Sequence, residues 1–184
     1  MALFETADDA VRAGLAMLDT LDAFNVERRS NNQQPIGIGV GLNSGSLMLG
    51  TIGERDRMDG TVISDAVNLA ARVESLTNAY RVSLLLTQNT YNQLSQPRAF
   101  SIRPIDIVVV KGRTEAVTIY EVYDRDPPSD REAKGFTRDL LQSGVESLAK
   151  GDLVGARQLF TRSLTLLPGD SAASNLLKCC GEAN

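Results

Sequence analysis

The sequence contains no histidine. That absence excludes the Ser-His-Asp and Cys-His forms of nucleophilic catalysis, zinc held through imidazole, and histidine as a proton shuttle. Cysteine is almost as scarce: Cys179 and Cys180 stand side by side near the end of the chain. One adjacent pair cannot build a disulfide framework or a four-cysteine zinc site, and it reads as free thiols in a reducing cytoplasm. Long apolar runs are missing, and no stretch reaches the roughly 18 residues that suggest a membrane span. The opening stretch to Val11 is acidic and lacks the basic end and apolar run of a signal peptide. A soluble, cytoplasmic protein with no membrane span is therefore predicted. Positive charge is not in excess: 19 basic against 23 acidic residues leave a net charge of −4. That balance argues against nucleic acid as a partner.

What is present suffices for a packed core. Of 184 residues, 42 % are hydrophobic, before counting 15 glycines. The length fits one ordinary domain, or a smaller domain with an appendage.

Met1, Ala2, Leu3 and Phe4 read as the end of a strand. Asp8 and Asp9 then suit the first turn of a helix. Val11, Leu15, Leu18 and Leu21 follow at helical spacing, and the helix is expected to fade into a polar loop over 27–34, closed by Pro35. Residues 36–43 alternate: Ile36, Ile38, Val40 and Leu42 on one side, Gly37, Gly39, Gly41 and Asn43 on the other. This predicts a strand with one apolar and one bare face, and a bare face often marks a close approach to the backbone. Asn43, Ser44 and Gly45 have turn chemistry. Further strands are predicted over 47–52, 61–63 and 82–86, with a charged loop over 53–60 and a short helix over 89–94. A final strand pair, 100–110 and 116–123, is joined around Lys111, Gly112 and Arg113. Ser64 suits the N-cap of a helix from Asp65 to about Leu76. Strands interleaved with helices and ending in a hairpin predict an α+β fold.

Pro127 and Pro128 among charges over 124–132 read as a linker. Beyond it the composition turns helical, and residues 133–184 are expected to form a tail built on a helical hairpin, packed on the main domain or on a partner. Gly144, Ala156, Phe160 and Pro168 have the spacing of a single tetratricopeptide repeat, although Ser143 and Ser163 depart from the pattern. A further helix is expected over 171–180.

Phosphate-loop motifs fail on inspection. Gly37, Gly39 and Gly41 lack the last glycine of G-x-G-x-x-G. Gly45 and Gly50 have Walker spacing, but Thr51 stands where lysine is required. Asn68 and Arg72 are four residues apart, hence on one helical face, beside a stripe of Leu69, Val73 and Leu76. Arginine binds phosphate bidentately. The residues alone allow either a solvated face or a pair aimed at a phosphate. Lys111, the first lysine of the chain, is equally open between an exposed turn residue and a ligand-binding one.

Three blocks carry a resemblance: Ile-Gly-Ile-Gly-Val-Gly-Leu-Asn-Ser-Gly from Ile36, Arg-Met-Asp-Gly-Thr-Val-Ile-Ser-Asp-Ala-Val-Asn-Leu-Ala-Ala-Arg from Arg57, and Val-Val-Lys-Gly-Arg before Val-Thr-Ile-Tyr-Glu-Val. Over residues 1–123 the chain resembles the class III nucleotidyl cyclase catalytic domain. The resemblance implies part of a ferredoxin-like fold, and conversion of ATP to cyclic 3′,5′-AMP and pyrophosphate. It implies that Thr61 reads the base, Asn68 orients the ribose, Arg72 stabilises charge on the α-phosphate, and Lys111 holds the terminal phosphates, with Arg57 near the phosphates. It also implies Mg²⁺ or Mn²⁺, and a head-to-tail dimer in which one protomer brings two metal-binding aspartates. Those aspartates belong to a part that would precede Met1, and Asp8 and Asp9 come too late to replace them. The chain is thus expected to carry half of each site and to be inactive alone, as a homodimer too, unless a cyclase partner protomer completes it. The alternative is a non-catalytic module that pairs with a metal-bearing partner while its tail binds another protein.

Overall fold

The computed structural model describes residues 1–52, 59–63, 65–109 and 116–181. It has the mixed α+β architecture that the sequence predicts. Met1–Phe4 takes no regular structure rather than ending a strand. Helix α1 (Ala7–Ser30) starts at Thr6, whose hydroxyl oxygen accepts from the Asp9 amide at 3.1 Å. Asp8 and Asp9 lie at its positive end and Arg28 and Arg29 at its negative end, so charges complement the dipole at both ends. This is why it continues into the stretch expected to be loop.

Strand β1 is only Val40–Leu42, shorter than the alternation predicts. The cause is local. The Asn25 side chain donates to the Ile36 carbonyl at 2.8 Å and accepts from the Ile36 amide at 2.7 Å. Both backbone groups of Ile36 are thereby taken by a side chain of α1 instead of a strand partner. Strands β2 (Met48–Ile52) and β3 (Asp59–Ile63) form an antiparallel hairpin, with Gly50 opposite Thr61. Helix α2 (Asp65–Tyr80) runs a turn beyond the expected Leu76. It closes with Arg81 at φ 54°, the left-handed position of a Schellman end, and the Val82 amide bonds the Thr77 carbonyl at 3.0 Å.

Strand β4 (Leu84–Thr87), the short helix α3 (Gln88–Asn92), and strands β5 (Ile102–Val109) and β6 (Ala116–Val122) complete this part. The sheet order is β1-β4-β6-β5; β1 and β4 are parallel, the other pairs antiparallel. Pro104 cannot donate to a ladder, which suits its place on β5 beside a register shift before Asp106. Side chains alternate across β4 as a two-residue period demands. Leu84 and Leu86 face Val11 and Leu18 of α1, while Leu85 joins Leu69 and Val73 of α2.

Pro128 opens a helix instead of breaking the chain. Helix α4 (Pro128–Ala149) uses it at the first turn, where the missing N–H costs nothing. The segment just before is also tied down. Asp124 accepts from the Ser101 amide at 3.0 Å, and Arg125 pairs with Asp19 at 2.6 Å and with Asp22. Helices α5 (Leu153–Leu166) and α6 (Ser171–Cys179) follow, N-capped by Asp152 and Asp170. The tail packs on the sheet: Leu141, Val145, Phe160 and Leu176 share one core with Leu85, Ile105 and Ile119. Gly144 is where the Phe160 ring rests; a Cβ there would lie 2.4 Å from it.

A sealed ionic cluster fastens the tail. Arg103 on β5 is fully buried. Its guanidinium donates to Asp170 at 2.6 and 2.8 Å and to Glu121 at 2.6 Å. Lys134 holds the other Glu121 oxygen at 2.6 Å and Asp126 at 2.5 Å. Burial pushes the Asp170 carboxyl up, but the Arg103 guanidinium overrides it and holds the carboxyl below the usual aspartate range. Asp170 thus does two jobs, since it also accepts from the Ala172 and Ala173 amides at the start of α6.

Candidate functional site

The candidate site is built on α2. Asn68 and Arg72 are both exposed, one turn apart on the same face, as the spacing predicts. On the flank, Leu69 and Val73 are buried against the sheet and anchor the helix. Further along, the Tyr80 hydroxyl donates to the Asp106 carboxylate. Burial first, and the Asp106 charge second, raise the Tyr80 pKa, so the phenol stays protonated and keeps donating.

A third face of α2 lies against the glycine segment. A Cβ on Gly41 would sit 2.2 Å from the Glu74 nitrogen and 2.5 Å from the Ala70 carbonyl oxygen. On Gly39 it would meet Thr77 Oγ1 at 1.9 Å, and on Gly45 the Ala66 Cβ at 2.9 Å. The bare face therefore exists because a helix backbone occupies the space where side chains would stand. Gly37 is different: nothing lies within 4 Å of its Cβ direction.

Thr61 lies on β3, in register with Gly50, so the hairpin rather than the helix carries it. Arg57 and Lys111, and the expected cap Ser64, lie outside the described residues. A cavity of about 350 Å³ under α4, lined in part by Tyr91, Thr118, Tyr120 and Arg138, contains neither Asn68 nor Arg72. The candidate pair is exposed at the surface.

The described residues do not fit a metal ion. Among them no three carboxylate or thiol side chains are placed to hold one, and the carboxylates gathered in the tail cluster are taken by Arg103 and Lys134. Asp8 accepts from the Ser95 amide and hydroxyl, both at 2.9 Å, and these bonds hold its carboxyl below the usual range. Asp9 is bonded by the Thr6 hydroxyl at 2.7 Å. Both aspartates serve the ends and packing of α1.

Two residues matter more than their sequence setting suggests. Asn43 reads as a turn residue, yet its amide bridges α2 to β4. Arg103 reads as one charge in a strand, and only its place between Ile102 and Ile105 signals burial. No helix among the described residues is long and apolar enough to cross a membrane.

The chain matches known proteins over the part that holds this site. The family profile of the adenylate and guanylate cyclase catalytic domain covers residues 2–123. An adenylate cyclase of Anabaena cylindrica is 43 % identical over 129 residues, 66 % of this chain and 26 % of that enzyme. A terminal-differentiation-specific adenylate cyclase of Dictyostelium discoideum is 32 % identical over 187 residues, 98 % of this chain and 9 % of that enzyme. The chain therefore spans only a minor part of these curated relatives. The crystal structure of the adenylyl cyclase CyaB from P. aeruginosa aligns with a TM-score of 0.55 at 29 % identity, over 67 % of this chain and 63 % of that one. A guanylyl cyclase crystal structure aligns at 0.52 and 27 %, over 66 % and 61 %. With its α+β sheet and the profile match over residues 2–123, the chain belongs to the adenylate and guanylate cyclase catalytic domain family.

Proposed function

We propose that the chain supplies the nucleotide-contacting half of a site that converts ATP to cyclic AMP and pyrophosphate. The observation that carries this is the outward pair on α2, Asn68 and Arg72, held by the glycine segment on one side and the buried Leu69 and Val73 on another. Asn68 orients the ribose. Arg72 donates to charge growing on the α-phosphate, where a fixed cation accelerates reaction most. Thr61 reads the adenine edge, donating and accepting through one hydroxyl. Lys111, with Arg57, holds the terminal phosphates. The adenylate cyclase relatives support adenine as the base. The divalent metal, Mg²⁺ or Mn²⁺, is assigned to aspartates of a second protomer docked head to tail.

The test is a mixing experiment. The purified 184-residue chain is combined with the catalytic domain of the Anabaena relative, whose own asparagine and arginine equivalents have been replaced. With ATP and Mn²⁺, the mixture is expected to make cyclic AMP, and either component alone is not. A mixture as silent as its components contradicts the proposal.

A second reading has its own support. Large apolar side chains are exposed on the tail: Phe136 at 75 %, Val154 at 70 % and Leu166 at 58 %. The glycine–phenylalanine contact of α4 and α5 also fits a tetratricopeptide-like unit over 133–184, preceded by the stretch 124–132, whose residues from Pro128 on already lie in α4. A non-catalytic module would pair with the metal-bearing domain and bind protein through the tail, yet yield no cyclic AMP in the mixture.

A further inference from the structure

Resting on the ATP reading above, we infer that Asn43 is a positioning residue for the nucleotide site, setting the height and register of Asn68 and Arg72 without touching substrate. Its amide joins three elements. The Nδ2 group donates to the Ala66 carbonyl at 2.9 Å, and Oδ1 accepts from Thr87 Oγ1 at 2.8 Å. Asn43 directly follows β1, Thr87 ends β4, and Ala66 lies in the first turn of α2. Thr87 is itself fully buried and caps α3, its hydroxyl oxygen accepting from the Thr90 amide at 3.3 Å. Its hydroxyl proton goes to Asn43 Oδ1 at 2.8 Å in preference to the longer 3.4 Å contact with Thr90 Oγ1, which orients the amide with its donor toward α2.

The lever arm is short. Ala66 precedes Asn68 by two residues, so a shift at its carbonyl reaches the site residue within the same turn. Ala66, Ala70, Glu74 and Thr77 form the α2 face seated on the glycine segment. At about 100° per residue, Asn68 and Arg72 project roughly 200° from Ala66 and Ala70, nearly opposite that seat. The glycines fix how closely α2 approaches the sheet. A smooth glycine track does not by itself stop the helix from sliding along its axis. The Asn43 bond to Ala66 is directional and supplies that stop at the site end of the helix, as the Tyr80 bond to Asp106 does at the far end.

Asn43→Asp separates the two bonds. The carboxylate keeps an acceptor for Thr87, but it has no donor for the Ala66 carbonyl and repels it. The experiment reads cyclic AMP formation in the mixed assay, with kcat and KM resolved, and amide hydrogen exchange of residues 66–72. Asn43→Asp is expected to lower kcat by about 10- to 100-fold, the scale of a misplaced catalytic group, with KM little changed. Faster exchange is expected to stay confined to the start of α2. Thr87→Ser keeps the hydroxyl and is expected to keep the rate. A variant with unchanged kcat overturns the inference. So does a loss of rate that only follows the folded fraction, with exchange raised throughout the chain. A mixture containing the unsubstituted chain that makes no cyclic AMP overturns the ATP reading first, and this inference with it.

Discussion

On the α1 side of the sheet the core is apolar, with the buried Asp8 and Asn25 bonded to uncharged groups, and the ion pairs sit at the surface; on the α2 side an ionic cluster is sealed inside. Arg125 keeps 21 % side-chain exposure, and its partners Asp19 and Asp22 keep 68 % and 72 %. Arg103 and Asp170 are both at 0 %, and Glu121 is at 4 %. The chemistry is the same, but the solvent is not. Water screens the first set, so it adds little to stability. The second set was expensive to dehydrate, and the hydrogen bonds among its members offset that cost. The tail is committed to the sheet at the sealed cluster, and the packing tolerates change at the exposed pairs.

The largest effect is expected from Arg103→Ala. It leaves Asp170 and Glu121 buried beside Lys134 alone, and stability is expected to fall by about 3–5 kcal/mol. Urea unfolding followed by circular dichroism measures it. A loss below 1 kcal/mol would show that the cluster hydrates as the surface pairs do. Acid tests the same cluster without substitution. The folded pKa of Asp170 lies below the usual 3.8 because, burial notwithstanding, the Arg103 guanidinium favours its charged form. A lowered folded pKa means a contribution fully present above 3.8 and lost as pH falls through the folded value. The urea midpoint is thus expected to hold near pH 5 and to drop below about pH 3.5. A midpoint that does not fall in acid contradicts the assigned direction.

A smaller effect is expected inside the tail. Gly144→Ala drives a methyl into the Phe160 ring, and overpacking of that kind costs about 1–3 kcal/mol. A thermal melt unchanged by this variant would mean that α4 and α5 separate freely. The smallest effect belongs to the α1 side. Arg125→Ala removes only partly exposed pairs and is expected to cost about 0–1 kcal/mol. A larger loss in the same urea assay would erase the contrast between the two faces.

The parts legible in the sequence were those governed by local periodicity. The α2 stripe, the bare glycine face and the final strand pair each depend on neighbours a few residues away. Side chains acting over long separations were not legible. Asn25 reaches Ile36 and shortens β1, although the alternation predicts a strand from Ile36. Arg103 meets Asp170 from 67 residues away, so docking of the tail has no local signature. Pro127 and Pro128 carry one signal with two meanings, since a proline that ends one element also suits the first turn of a helix. For the site, Asn68 and Arg72 fall where helical spacing puts them. The Asn43 bridge escapes the sequence because turn residues and helix anchors draw on the same amide chemistry.

In the proposed reading, the outward face of α2 acts on the transition state of ATP cyclisation. Its most direct test is Arg72→Ala in the mixed assay with the metal-bearing partner, with kcat and KM resolved. A fall in kcat of roughly 10²–10³ with KM within a few-fold is expected, the scale of losing one fixed donor to a developing charge. A raised KM with kcat unchanged would mean that Arg72 merely binds ATP, and would contradict the account.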